Sequence, residues 1–280
     1  MTDFTYKKPD EKAYSKALIE KLGITVVPLN VIFGEEVLKD GVDITSKEFY
    51  KRLEESKKLP SSSQPTPDEF SEVYQNLLKK YDKIISIHLS EKLSGTINSA
   101  RAAAKEFGEK VFTFDSQSIS VGVGLQVEAT VEAIKEGLSL DEIKDYLQRL
   151  RESTHVMFTL DTLEYLEKGG RIGKAESLLG SLLNIKPIII VREGLYHAFG
   201  KTRSQKKAIR KISKHLQKIS NGRTVKRLAV AHGMAQEAME ILKKDLEKAF
   251  NIKASIVTEV GPVIGVHTGP GTIGTAISFE

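Results

Sequence analysis

Apolar segments rich in β-branched residues alternate with amphipathic segments along the first half of the chain, and this alternation restricts the possible folds more than any other feature. It is typical of α/β layer structures, in which helices cover the strands of a sheet. The predicted strands lie at 24–33, 83–89 and 110–116, and the predicted helices lie at 45–57, 66–81, 96–107 and 139–152, with a small-residue helix from about 118. We therefore predict an α/β domain with a parallel sheet over residues 1–154.

The pattern changes in the second half. A predicted strand and a short helix are followed by a glycine break at Gly169 and by an apolar helix that ends before Pro187. A hairpin with its turn at Gly194 comes next, then two helices, a strand at 225–231 and two terminal strands. This order predicts a second α/β domain over residues 155–280, with a mixed or antiparallel sheet.

Two of the predicted helices begin with a recognisable cap. Thr66 with Glu69, and Ser139 with Glu142, match the capping-box pattern, in which a hydroxyl and a carboxylate three residues later satisfy each other's backbone N–H groups. These two helix starts are therefore the most sharply predicted boundaries in the chain.

Composition excludes several classes of site and protein. The 280 residues include no cysteine, so disulfides, thiolate nucleophiles and cysteine-based metal sites are excluded. The six histidines are scattered without ligand spacing, which predicts no metal site. No segment approaches the roughly 18 consecutive apolar residues of a membrane span, and the first residues lack the apolar stretch of a secretion signal. We therefore expect a cytoplasmic protein that is not a membrane protein.

Charge offers little support for a nucleic-acid partner. The 42 basic and 37 acidic residues give a net charge of +5, with both signs interspersed. The most basic segment, at 201–218, carries an apolar stripe that includes Ile209, Ile212 and Leu216. That stripe predicts a packed helix with a solvated basic outer face, so we expect no nucleic-acid binding.

Two hydroxyl-rich segments precede predicted helices. Ser94 and Gly95 follow a predicted strand, at a position where helix N-termini present unpaired N–H groups to anions, although Ser94 is equally suited to cap the helix. Ser62, Ser63 and Gln64 precede Thr66, which suffices alone as a cap, so their polar side chains are free to bind a ligand or to form a plain polar turn. Both readings stay open for each segment.

A glycine-rich segment surrounds His267. Its "GPGTIG", at 269–274, fits the G-x-G-x-x-G template of dinucleotide sites, but only six residues follow, too few for the helix that would receive a pyrophosphate. We predict instead a tight loop beside His267, where a ligand can approach the backbone, with a structural histidine as the alternative. Arg171, in "EKGGRIGK", is a candidate for an anion site or a partner surface. The alternative is that its side chain is simply a solvated surface charge.

Five segments together resemble the DegV family of bacterial fatty-acid-binding proteins. They are "SSSQPTPDEF", "HLSEKLSGTINSA", "FDSQSISVGVGL", "YLEKGGRIGKAESLLGSLLNIKPII" and "IGVHTGPGTIG", and their order extends over nearly the whole chain. The resemblance implies a two-domain α/β fold that holds a long-chain fatty acid between its domains. It implies no cofactor besides this ligand. It also implies a carrier that is not an enzyme, a FakB-like subunit that presents the carboxylate to a separate fatty acid kinase. The acyl phosphate that the kinase forms would feed phospholipid synthesis. Contact of the carrier with a membrane would be transient at most.

The family's motifs also imply the residues of the site. Those that would bind the fatty-acid carboxylate are Ser62, Ser63, Ser94, Gly95, His267 and Gly269. Arg171 would lie at the mouth of the site and meet the kinase. The apolar segments 178–183 and 187–191 predict the tunnel walls. The chain departs from the family at its first residues, "MTDF", which begin in the turn that normally follows a first strand, so we predict that this strand is missing or shortened.

A serine hydrolase is the alternative from another class of function. Ser94 would be the nucleophile and His267 the base, but "LSGT" lacks the G-x-S-x-G pattern of the commonest nucleophile elbow. Ester turnover that disappears in Ser94→Ala would favour this alternative.

Overall fold

The computed structural model describes residues 23–180 and 185–279. Its strands are Asn30–Phe33 (β1), Glu36–Lys39 (β2), Ser61–Ser63 (β3), Ile84–His88 (β4), Val111–Asp115 (β5), Thr154–Thr159 (β6), Lys186–Arg192 (β7), Leu195–Thr202 (β8), Val225–His232 (β9), Ile256–Glu259 (β10) and Ile273–Phe279 (β11). Its α-helices are Ser46–Glu55 (α1), Pro67–Leu78 (α2), Thr96–Ala104 (α3), Val121–Lys135 (α4), Leu140–Ser153 (α5), Glu164–Lys168 (α6), Gln205–Ser220 (α7), Gln236–Phe250 (α8) and Pro262–Thr268 (α9). Short 3-10 segments lie at Lys105–Lys110 and Ala175–Leu178.

Six strands of the second half form one mixed sheet in the order β10-β9-β11-β6-β7-β8. Strands β9 and β10 are parallel, whereas the remaining neighbours are antiparallel. The predicted mixed sheet is therefore confirmed. The predicted hairpin is confirmed as well, because Glu193 and Gly194 between β7 and β8 have φ values of 52° and 75°, as a tight hairpin turn requires.

The strands of the first half form two small sheets. Strands β4 and β5 pair in parallel, as predicted, and β2-β1-β3 is a separate antiparallel sheet. The strand predicted at 24–33 is too long, because only Asn30–Phe33 is a strand. Pro28 has no N–H to donate to a neighbouring strand, which helps to explain the late start. The prediction of a missing or short first strand concerns residues 1–22, outside the described part.

Helix α4 connects the two halves. Gly122 lies so close to β6 that a Cβ there would collide with the side chain of Val156. One apolar core combines residues of β4, α4 and the six-stranded sheet. That sheet begins at Thr154, but because the core is shared, the division into domains 1–154 and 155–280 stays a prediction.

Helices α7 and α8 pack beside one another and, together with inward side chains of the sheet, form a second apolar core. Ile209, Ile212 and Leu216 are buried, and all lysine and arginine side chains of α7 are exposed. The predicted packed helix with a basic outer face is confirmed.

Both capping boxes are present. The Thr66 hydroxyl accepts the N–H of Glu69 at 3.2 Å, and the Glu69 carboxylate accepts the N–H of Thr66 at 2.9 Å. Ser139 and Glu142 make the same reciprocal pair. The starts of α2 and α5, which these four residues predicted, are therefore confirmed.

The prediction of an apolar helix before Pro187 is wrong for the described residues. Between the glycine break and Pro187, the described residues form only the 3-10 segment Ala175–Leu178. Residues 181–184 lie outside the described part. Gly180 has a φ of +69°, a conformation that ends a helix.

The tight loop predicted beside His267 is present at residues 269–272, where Gly269 and Gly271 have φ values of 68° and 82°, but His267 itself lies in the last turn of α9, a helix that was not predicted. Pro262 occupies the first turn, where a backbone N–H would have no acceptor within the helix, so its absence costs nothing. The Asp40 carboxylate accepts the next N–H, that of Val263, at 2.8 Å. The sequence does not predict this helix, because Gly265 in its middle and Gly269 at its end both have low helix propensity.

Candidate functional site

A cavity of about 290 Å³ lies where β3, the loops after β4 and β5, strand β8 and helix α9 meet. Its polar wall consists of Ser62, Ser63, Gln64, Ser94, Arg171, Tyr196 and His267. Its apolar wall consists of Leu29, Leu89, Leu93, Ile119, Val263 and Ile264. Walls of both kinds suit a ligand with a polar end and an apolar body.

Ser62 and His267 form the central contact of the polar wall. Ser62 is fixed on β3 opposite Val31 of β1, and its Oγ lies 2.9 Å from Nε2 of His267 on α9. Burial, assisted by the positive charge of Arg171, lowers the pKa of His267 to about 4. The imidazole is therefore neutral at pH 7.

The surroundings of the other ring nitrogen identify the tautomer of His267. Nδ1 is buried, has no hydrogen-bond partner among the described residues, and lies against the backbone of Gly169. A proton on Nδ1 would be a buried donor without an acceptor, which is more unfavourable than an unused lone pair. We therefore assign the proton to Nε2, which donates to Ser62 Oγ. The hydroxyl hydrogen of Ser62 is then free for an acceptor in the cavity.

Ser94 presents a second hydroxyl. Its Oγ lies 2.8 Å from Oγ1 of Thr96 and accepts the Thr96 N–H at 3.3 Å. If Thr96 is the donor of the hydroxyl pair, the Ser94 hydrogen is also available to a ligand. Gly95 is the N-cap residue of α3 by position, but the Ser94 hydroxyl accepts the N–H of Thr96, the first residue of the helix, so the capping alternative for Ser94 stays open.

Gly95 does not line the cavity but supports its wall. A Cβ at Gly95 would collide with the side-chain amide of Gln64. That amide donates from Nε2 to Ser99 Oγ at 2.9 Å and so connects the segment after β3 to α3. Gly95 therefore permits the close approach that holds Ser62 and Ser94 around the same cavity.

Arg171 lies at the solvent side of the site. Its Nη1 donates to the carbonyl of Gly169 at 2.9 Å, and its Nε donates to the carbonyl of Leu93 at 3.4 Å. Its side chain is exposed, lines the cavity, and also borders a shallow depression formed with Lys92 and Gly95. Arg171 thus lies at the mouth of the cavity.

The other two predicted residues occupy different positions. Ser63 lines the cavity, and its Oγ accepts a hydrogen bond from Nδ2 of Asn30 at 3.2 Å. Gly269 is the C-cap of α9, packs against the ring of Tyr165 and is not among the cavity-lining residues. The structure therefore places Ser62, Ser63, Ser94 and His267 together around the cavity, with Gly95 and Gly269 behind them.

The cavity walls differ from those predicted. Residues 178–180 and 187–191 do not line this cavity, and 187–191 form β7 in the interior of the six-stranded sheet. Residues 181–184 lie outside the described part. Apolarity alone marked these segments, and burial in a sheet satisfies apolarity as well as a tunnel does.

Tyr196 lines the cavity without having been selected from the sequence, whereas Gln64, which also lines it, was noted there as a polar side chain that the cap does not need. Tyr196 is 3% exposed and lies on β8. Its place in an alternating strand predicts only that it faces inward, and no motif marks it. Gln64 belongs to a segment already noted for its polar side chains, which was the available signal.

The chemistry of the cavity is that of hydrogen-bond donation to an anion. Its walls carry hydroxyls, a guanidinium and a neutral imidazole, and none of its lining residues is a carboxylate. In the described part of the chain, no three acidic or histidine side chains form a group that could hold a metal ion. The same residues include no helix long and apolar enough to cross a membrane.

Comparisons with known proteins agree with this geometry. The family model described as "Uncharacterised protein, DegV family" matches residues 12–280. A DegV domain-containing protein of Deinococcus radiodurans is 38% identical over 265 residues, which cover 91% of each chain. A solved fatty-acid-binding DegV family protein from Thermus thermophilus has a TM-score of 0.91 at 38% identity and covers 95% of this chain and 96% of its own.

Two further solved structures have similar folds. A stearic-acid-binding protein from Eubacterium ventriosum has a TM-score of 0.88 at 28% identity, with 95% of this chain and 94% of that chain covered. DegV of Bacillus subtilis, described as a fatty acid binding protein, has a TM-score of 0.84 at 33% identity, with 95% of each chain covered. The family match extends over almost the entire chain, and this chain therefore belongs to the DegV family.

Proposed function

We propose that the cavity binds the carboxylate of a long-chain fatty acid and that the protein carries this ligand to a partner kinase. The observation that carries the proposal is a cavity wall with several hydrogen-bond donors and no carboxylate. Ser62, Ser94 and Arg171 can each donate, and no lining side chain is a carboxylate. The fatty-acid-binding proteins of Thermus thermophilus and Eubacterium ventriosum, which share the fold, support the same ligand class.

Several donors are needed because a single one would not offset the cost of burying a carboxylate. Charge-assisted hydrogen bonds from two hydroxyls and a guanidinium reduce that cost and fix the orientation of the head group. The acyl chain supplies most of the affinity, since each buried CH₂ contributes about 0.8 kcal/mol and a long chain therefore offers on the order of 10 kcal/mol.

The size of the cavity restricts where the chain can go. Its volume of about 290 Å³ lies at the lower limit of ordinary ligand pockets. It is sufficient for the head group and the first carbons, beside Leu89, Leu93 and Ile119. The remaining carbons require these apolar side chains to move apart, so we expect the ligand to open the space that it occupies.

Exposure of the site mouth supports presentation to a second protein. Arg171 is exposed at the mouth, within reach of both the cavity and the surrounding solvent. A kinase that docks here would meet the carboxylate end of the ligand first. The protein would then act in the cytoplasm as a carrier without catalytic activity of its own, and the acyl phosphate would enter phospholipid synthesis.

Mass spectrometry of organic extracts from natively purified protein is the first test of ligand class. We expect a stoichiometric long-chain fatty acid. An empty extract, followed by failure of the delipidated protein to bind oleate or palmitate, would contradict the proposal. The kinase step has a separate test: a purified fatty acid kinase with ATP should form acyl phosphate only when the loaded carrier is added.

The hydrolase alternative is not favoured by the arrangement of the site. The described hydrogen bond of His267 goes to Ser62, not to the predicted nucleophile Ser94. A base would have to accept the serine proton at Nε2, whereas the buried, unpaired Nδ1 favours a proton on Nε2. A pKa of about 4 also makes His267 a weak base. Turnover of a chromogenic ester that is lost in Ser94→Ala would reverse this conclusion.

A further inference from the structure

Tyr196 contributes a polar group to the cavity that the contacts described above do not use. The residue is 3% exposed, and its ring packs edge-on against Phe158, with 5.2 Å between the ring centroids. Pairing of Tyr196 with Val191 in the β7–β8 ladder fixes its backbone. The ring therefore has a defined place in the wall.

The hydroxyl of Tyr196 has no hydrogen-bond partner among residues 23–180 and 185–279. Buried tyrosines normally have such a partner, because an unpaired polar group in the interior loses the hydrogen bonds that water would supply. Burial raises the pKa of Tyr196, so the phenol stays protonated at neutral pH. The hydroxyl is not among the fully buried polar atoms without a partner, so it opens onto the cavity, where a ligand can supply the acceptor.

The neighbouring charge does not satisfy this donor. Arg171 is the charged residue whose field acts on the phenol, and a guanidinium has donors but no acceptor. The hydrogen bonds of Arg171 go to the carbonyls of Leu93 and Gly169. The Tyr196 hydrogen and the remaining N–H groups of Arg171 are donors, so a ligand that brings acceptors can satisfy both.

We propose that the Tyr196 hydroxyl donates a hydrogen bond to the head group of the bound fatty acid and makes the cavity selective for a carboxylate over the corresponding alcohol. This inference rests on the proposed fatty-acid function and adds a residue and a selectivity to it. A carboxylate has two oxygens with about four acceptor positions, enough for Ser62, Ser94 and Tyr196 together. An alcohol has one uncharged oxygen with two acceptor positions, which Ser62 and Ser94 suffice to occupy, so it leaves Tyr196 without an acceptor.

Tyr196→Phe tests the inference, because it removes the hydroxyl and keeps the ring that packs on Phe158. The affinities of oleate and of oleyl alcohol are measured for the wild type and the variant by calorimetry. We expect the oleate affinity to fall about tenfold, as is typical for loss of a hydrogen bond to a charged group, and the oleyl alcohol affinity to stay unchanged. The preference for the carboxylate then falls by the same factor.

Tyr81→Phe is the matched control, since Tyr81 is 54% exposed and does not line this cavity. It should leave both affinities unchanged. Thermal unfolding shows whether Tyr196→Phe folds normally, and we expect no loss of stability because the hydroxyl removed has no partner in the unliganded protein. Equal oleate affinities in variant and wild type would overturn the inference, as would equal losses for oleate and oleyl alcohol, which indicate altered packing. A wild type that binds neither ligand would instead overturn the proposed function and, with it, this inference.

Discussion

His267 shows how the surroundings of one nitrogen determine the use of the other. Its Nδ1 is enclosed by the backbone of Gly169 without a partner, so its Nε2 is left to donate to Ser62. That donation directs the Ser62 hydrogen toward the cavity. At the scale of single residues, the site is therefore a short chain of hydrogen bonds that ends at the ligand.

Two substitutions of His267 separate the two nitrogens. The side-chain amide of a glutamine places its nitrogen near the position of Nε2, whereas that of an asparagine places it near Nδ1. We expect His267→Gln to retain oleate affinity within a few-fold and His267→Asn to lose about tenfold, because only the former keeps a donor to Ser62. Dissociation constants for oleate give the comparison. The reverse order would show that Nδ1 is the functional atom.

The elements of the site are held in register by the contact between the segment after β3 and the start of α3. Gln64 lies over Gly95 and donates to Ser99, so the hydroxyls of Ser62 and Ser94 are kept around one cavity although they belong to different elements. This arrangement leaves no space for a side chain at position 95.

Gly95→Ala should therefore weaken both the fold and the site. The new Cβ displaces the Gln64 amide, and we expect the free energy of unfolding to fall by about 1–3 kcal/mol and oleate to bind less tightly. Urea unfolding and oleate titration measure the two effects. In the double variant Gln64→Ala with Gly95→Ala, much of the added loss should be absent, because the group that collides has been removed. Additive losses in the double variant would rule out this contact as the cause.

At the scale of the whole molecule, buried histidines couple stability to pH. Burial lowers the pKa of His155 and of His267 to about 4 and holds the pKa of the fully buried His88 well below its usual 6.5. In the unfolded chain each of them titrates near 6.5. Between the folded and unfolded values, the unfolded chain binds more protons than the folded protein, so stability decreases as the pH falls through this range.

We expect the urea midpoint to be constant above about pH 7 and to decline progressively from pH 6.5 toward pH 4.5. His155→Phe should make this decline shallower, since it removes one titrating group and keeps a ring against Phe279. Unfolding curves at half-unit pH intervals are sufficient. A midpoint that rises on acidification would contradict the neutral state of these histidines in the folded protein.

Local patterns were enough to predict much of the architecture. The capping boxes at Thr66 and Ser139, the hairpin turn at Gly194 and the amphipathic helix α7 each depend on residues close together in sequence. The mixed sheet of the second half and the family were predicted as well. Errors occurred where local signals conflict, as in α9, where glycine discourages a helix that packing against α1 and β1 stabilises.

The two capped helix starts, the hairpin and the candidate hydroxyls could be predicted from the sequence, because neighbouring residues encode these features. Three features follow from tertiary packing alone: His267 pairs with Ser62, which lies 205 positions away, Gly269 does not line the cavity, and Tyr196 does. Which side chains share a cavity, and which nitrogen of a histidine is left without a partner, depend on how several elements pack together. No single segment of the chain contains that information.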